Sequence, residues 1–111
     1  MLMVETDRIE TAMSLIAGAG DSRSYCMEAI ESAREGRFDE AREAVSNAVD
    51  AMIETHDTQT DLIRSEMEGN ETPVTLLMVH AQDHLNLSLV MRDIAEEFIS
   101  LYERISRLEG K

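Results

Sequence analysis

"TPVTLLMVHAQDHLNLSLVM", residues 72–91, carries Val74, Leu76, Leu77, Met78, Val79, Ala81, Leu85, Leu87, Leu89, Val90 and Met91. At 3.6 residues per turn these side chains point in every direction around a helix, and a helix that is apolar all round is covered all round. Two neighbours in one thin chain cover only part of that surface. The remainder is buried against other copies or left as an exposed patch, so the run predicts a homo-oligomer with this helix near the symmetry axis.

The rest of the chain supports a helical reading. It is rich in Ala, Glu, Met, Leu and Arg, has one proline and 4% aromatics, and keeps no strict period-two alternation of β-branched residues. Two breaks divide it. "EGRFDE" holds Gly36 before a candidate N-cap, Asp39, and "EGNETPV" holds Gly69 and Asn70, then Thr72 as a cap and Pro73 at the first helical position. The predicted helices are 7–34, 39–68 and 73–108, rods of roughly 45–50 Å at 1.5 Å per residue, with connections short enough to make neighbours antiparallel. The expected fold is all-α: one domain over residues 1–111, an up-down-up hairpin of three helices.

Within the first helix "AGAGDSRS" places Gly18 and Gly20 in the interior, which predicts a kink, a close helix contact or an interruption. The second spaces Phe38, Ala41, Ala44, Val45, Ala48, Val49, Met52, Ile53, His56, Thr60 and Ile63 by threes and fours, an amphipathic pattern.

The 111 residues carry 23 acidic and 10 basic side chains, a net charge of −13 that would repel phosphate backbones and anionic lipid. Neither nucleic acid nor a membrane surface is an expected partner. The N-terminal "MLMVETDRIETAMSLIAGAG" starts acidic, with no basic stretch before its apolar residues, and no apolar run reaches the roughly 18 residues of a bilayer span. A cytoplasmic protein is expected. The single cysteine, Cys26 in "SYCMEAI", has no partner for an internal disulfide and reads as a small apolar core residue.

His80, Asp83 and His84 are the exceptions inside the apolar run. At about 100° per residue His84 lies about 40° from His80 one turn on, and Asp83 about 60° to the other side. The three share a broad face. Three chemistries compete for it: a satisfied core cluster with Asp83 as hydrogen-bond partner, one metal ion held from a single helix face, and a nucleophilic imidazole that accepts a group covalently. Spacing alone does not choose among them. The Glu-x-x-His repeat on two helices that marks a di-iron bundle is absent.

"VHAQDHL" followed by "MRDIAEEFISLYER" resembles the signature of the lactose/cellobiose family of phosphotransferase-system enzyme IIA components. "AGAGDSRSYCMEAIESAREGRFDEA" is similar to that family's small-residue segment and Glu-Ala run, and "ETHDTQTDLI" to its second-helix His-x-x-Gln-Thr pattern. The resemblance covers about residues 9–105. It implies a three-helix monomer assembled into a homotrimer, a nine-helix bundle. It also implies that His80 accepts a phosphoryl group from HPr and passes it to a cysteine of the cognate IIB subunit, while the IIC permease moves a β-glycoside disaccharide of the lactose, cellobiose or chitobiose type. Asp83 corresponds to the family aspartate that meets its symmetry mates on the trimer axis. Three close carboxylates there would call for a divalent cation such as Mg2+ or shared protons. His84 would support the phosphoryl oxygens. Gln82, on the far side of the helix from His80, would reach a phosphate only across a subunit boundary.

His56, Gln59 and Thr60 of the second-helix pattern are explained by packing. Cys26 is unlike the phosphorylated IIB cysteine, which lies in a loop after a strand. "HLNLS" departs from relatives in placing Asn86 where an apolar residue is usual. The rival reading is a helical oligomer that binds metal or protein through the same face and transfers no phosphate.

Overall fold

The computed structural model describes residues 5–110. Residues 1–4, the first part of the N-terminal segment read as lacking an export signal, and Lys111 lie outside the described residues. Three helices follow one another: α1 (Glu5–Arg34), α2 (Phe38–Met67) and α3 (Leu76–Leu108). The bundle measures 59 × 22 × 20 Å, and the helices run along its long axis, with α1 and α3 parallel and α2 antiparallel to both. Helix α1 lies against both neighbours, whereas α2 and α3 meet over a much smaller area. None of the described helices is long and apolar enough to cross a membrane.

The turns form where glycine allows them. Gly36 and Gly69 adopt φ of 84° and 97°, the left-handed conformation that costs a side chain 1–2 kcal/mol in rough terms. Around each glycine the backbone closes in the Schellman pattern. Gly36 N–H donates to Ala33 and Arg37 N–H to Ser32; Gly69 N–H donates to Glu66 and Asn70 N–H to Ser65.

The helix starts correct the sequence reading. Helix α2 begins at Phe38 with Arg37 at the cap position and no side-chain cap bond, so Asp39 stands in the first turn, where its charge suits the helix dipole. Helix α3 begins at Leu76, three residues after Pro73. Thr75, not Thr72, is the N-cap, its extended backbone letting Oγ1 accept from Met78 N–H at 3.1 Å.

Two alanine-rich clusters make the core. Cys26, Ala29, Ala33, Ala41, Ala44, Val45, Ala48, Ala95 and Ile99 fill the end near the α1–α2 turn, and Ala12, Leu15, Ala19, Met52, Met78, Ala81 and Leu85 fill the other. Small side chains bring the helix backbones close, and buried hydroxyls then bridge them: Ser22 Oγ donates to Ala48 O at 2.8 Å and Ser88 Oγ to Ala19 O at 2.7 Å. Helix α1 runs unbroken through Gly18 and Gly20. Of the alternatives raised for that stretch, the close contact is the one found, Gly18 lying against Thr55.

On α2 the buried face is Ala41, Ala44, Val45, Ala48, Met52 and Thr55; Ile53, His56 and Ile63 are exposed. The sequence pattern set that face too wide because the sparse α2–α3 contact leaves one flank of α2 open. Cys26 is fully buried, and its burial, opposed by Arg92 and reinforced by Glu96, raises the thiol above its ordinary pKa. It stays protonated at neutral pH, as a core residue does.

Candidate functional site: a histidine pair on helix three

The Thr75 cap sets the register of α3, and Met78, Ala81, Leu85 and Ser88 point that helix's buried face at its neighbours. His80 is then exposed and His84 half-buried at the edge of the packed face. The one-turn offset brings the imidazoles together. Their Nε2 atoms are 3.1 Å apart, the ring centroids 4.5 Å apart and the ring planes at 86°. That distance is a hydrogen bond whenever one Nε2 carries the proton and the other does not, the direction being set by the tautomers. Imidazole is the side chain that can accept a group covalently through a ring nitrogen, and here one is exposed beside a second.

Asp83 does not join the pair. It is exposed, and among the described residues no three His, Cys, Asp or Glu side chains gather where one chain could hold a metal ion. The reading in which His80, Asp83 and His84 share one ion from one helix face is therefore corrected: the imidazoles turn to each other and Asp83 stays out in solvent. Gln82 is turned toward α2. Its Oε1 accepts from Gln59 Nε2 at 2.8 Å and its own amide faces Met78 Sδ at 3.7 Å, with no hydrogen bond to either histidine among the described residues. Asn86 is exposed, so its amide meets solvent.

The chain matches the family model described as "PTS system, Lactose/Cellobiose specific IIA subunit" over residues 10–103. It is 44% identical over 96 residues, 86% of this chain and 87% of the other, to the lichenan-specific phosphotransferase enzyme IIA component of Bacillus subtilis. To the N,N'-diacetylchitobiose-specific EIIA component of Escherichia coli it is 35% identical, over 86% of this chain and 83% of that one. This chain belongs to the lactose/cellobiose-specific IIA family of the phosphotransferase system. The fold agrees: the crystal structure of the cellobiose-specific enzyme IIA from Bacillus anthracis superposes with a TM-score of 0.87 at 39% identity, covering 96% of this chain and 95% of that one. IIA subunits are phosphotransferase components, and the resemblance carried by "VHAQDHL" holds along almost the whole chain.

Two features around the IIA histidines were not legible in the sequence. Arg23, Ser24, Glu28, Glu31 and Arg34 of α1 are among the residues that line, with His84, an open groove of about 670 Å³. No motif marks them, because their meeting with His84 depends on how α1 and α3 are registered. The second is a stripe. Asp83, Leu87, Val90, Ile94, Phe98, Leu101 and Ile105 follow one another by threes and fours along α3, and the six apolar members are each 38–65% exposed. This is the spacing of a helix seam that packs on copies of itself.

Proposed function

We propose that this chain is the phosphoryl carrier of a sugar phosphotransferase system, with His80 as the residue phosphorylated. The observation that carries the reading is the His80–His84 pair, 3.1 Å between Nε2 atoms and open to a partner, in a chain of the IIA family. His80 Nε2 attacks the phosphorus of phospho-HPr, and the new N–P bond forms as the old one breaks. A cysteine thiolate of IIB then attacks the same phosphorus and returns the lone pair to His80. His84 donates its Nε2 proton to the lone pair before transfer and to a phosphoryl oxygen after it. Placement does most of the catalysis, as in other phosphoryl transfers. The negative chain favours departure of the phosphoryl group and attracts a basic rim on HPr. The lactose-, cellobiose- and N,N'-diacetylchitobiose-specific relatives support a β-glycoside disaccharide as the sugar, taken up through IIC. The site of action is cytoplasmic.

The working unit in this reading is a homotrimer closed along the exposed stripe of α3. Asp83 leads that stripe, four residues before Leu87, so three copies bring three carboxylates to the axis. Oxygen ligands of that kind suit a hard divalent cation such as Mg2+. Gln82, engaged with Gln59, acts in this reading by holding α2 to α3 beside the site.

The test is intact mass after incubation with phosphoenolpyruvate, enzyme I and HPr. The expected result is one acid-labile phosphate on the wild type and on His84→Ala at a reduced rate, and none on His80→Ala. A folded wild type that gains no phosphate would turn the reading into that of a non-transferring helical oligomer.

A further inference from the structure

The two imidazoles are also placed as a pair of metal ligands. We propose that His80 and His84 together bind a divalent transition ion of the zinc class, and that the bound ion blocks phosphorylation of His80. Two nitrogens each about 2.05 Å from one zinc ion and 3.1 Å apart subtend about 98° at the metal, between the octahedral right angle and the tetrahedral angle. The separation of two imidazoles one helical turn apart is therefore a usable bite for one ion. The ring planes stand at 86°; binding places the remaining proton of each neutral imidazole on Nδ1, so that both Nε2 lone pairs are available to the metal. His80 is exposed and His84 half-buried, which leaves the other coordination positions to water.

Ligand chemistry separates this site from the carboxylates on the α3 stripe. Imidazole nitrogen favours zinc, copper or nickel, whereas magnesium and calcium take oxygen. With no third His, Cys, Asp or Glu gathered at the pair among the described residues, the site is open and exchangeable. That suits a reversible brake rather than a structural ion. The block follows from electron counting: the lone pair that would attack phosphorus is the one donated to the metal.

Binding stands without the phosphotransfer reading; the block rests on it. The experiment is a zinc chloride titration by calorimetry of the wild type, His84→Asn and Asp83→Asn, followed by phosphorylation of the same proteins from phospho-HPr prepared beforehand. The expected result is one zinc per chain at the pair in the wild type and in Asp83→Asn, and binding weakened at least about tenfold in His84→Asn. Wild-type phosphorylation slows at least about tenfold at saturating zinc, while the rate of His84→Asn, whatever its metal-free value, is unmoved by the same zinc. Zinc binding equal in wild type and His84→Asn, or lost in Asp83→Asn, overturns the site. Wild-type phosphorylation indifferent to saturating zinc overturns the block. A wild type that takes no phosphate even without metal defeats the carrier reading, and the titration still decides the site.

Discussion

A Cβ built on Gly18 would stand 1.8 Å from Thr55 Oγ1 and 3.1 Å from Thr55 Cβ. Alanine there gains up to about 1 kcal/mol of helix propensity but overpacks a buried contact, at a typical cost of about 1–3 kcal/mol. Gly18→Ala should therefore destabilise the bundle by about 1–2 kcal/mol in urea unfolding, and Thr55→Ala in the same chain should recover part of that loss. A stabilised Gly18→Ala would show that α1 and α2 do not approach so closely. The glycine was conspicuous in the sequence, yet only the facing helix decides whether it kinks, breaks or packs. His80 and His84 were different: helical spacing placed them on one face before any tertiary information, and the structure adds that the rings meet. Arg23 and Ser24 beside His84 were not, since they come from another helix.

At the scale of the element, helix existence was plain and helix starts were not. "TPVT" offers two threonines as caps, and the proline rule favours Thr72 because Pro73 suits a first helical position. The chain instead keeps Val74 and Thr75 outside α3, and the Thr75 hydroxyl takes the Met78 N–H. A cap bond contributes about 1 kcal/mol. Thr75→Ala should cost about that much, a fall in melting temperature of about 4–8 °C for a domain near this size, while Thr72→Ala should change little. The reverse ranking in thermal unfolding by circular dichroism would put the start of α3 at Pro73. His80 stands only five residues beyond the cap, so the Thr75 bond also holds the turn that carries the histidine against fraying.

At the scale of the whole molecule, the apolar residues of α3 argued from the outset for covering by other copies. One side of α3 meets α1 and α2, while Leu87, Val90, Ile94, Phe98, Leu101 and Ile105 remain exposed in one stripe. Which of the apolar positions stay open depends on how α1 and α2 seat against α3, with the α2–α3 contact the sparser, and that seating is not written in the periodicity of α3 alone. If copies close along that stripe, Ile94 sits near its middle, and Ile94→Glu removes about 1.5–3 kcal/mol of apolar burial per chain while placing like charges together. Sedimentation velocity at micromolar protein should then show a trimer for the wild type and a lighter species for Ile94→Glu. Ser46→Glu, on the exposed side of α2, adds the same charge away from the stripe and should leave the mass unchanged. Equal masses for wild type and Ile94→Glu would exclude the stripe as the interface. The pairing of His80 with His84 lies within one chain and would stand in either case, so assembly and phosphate acceptance can be separated by the same variant.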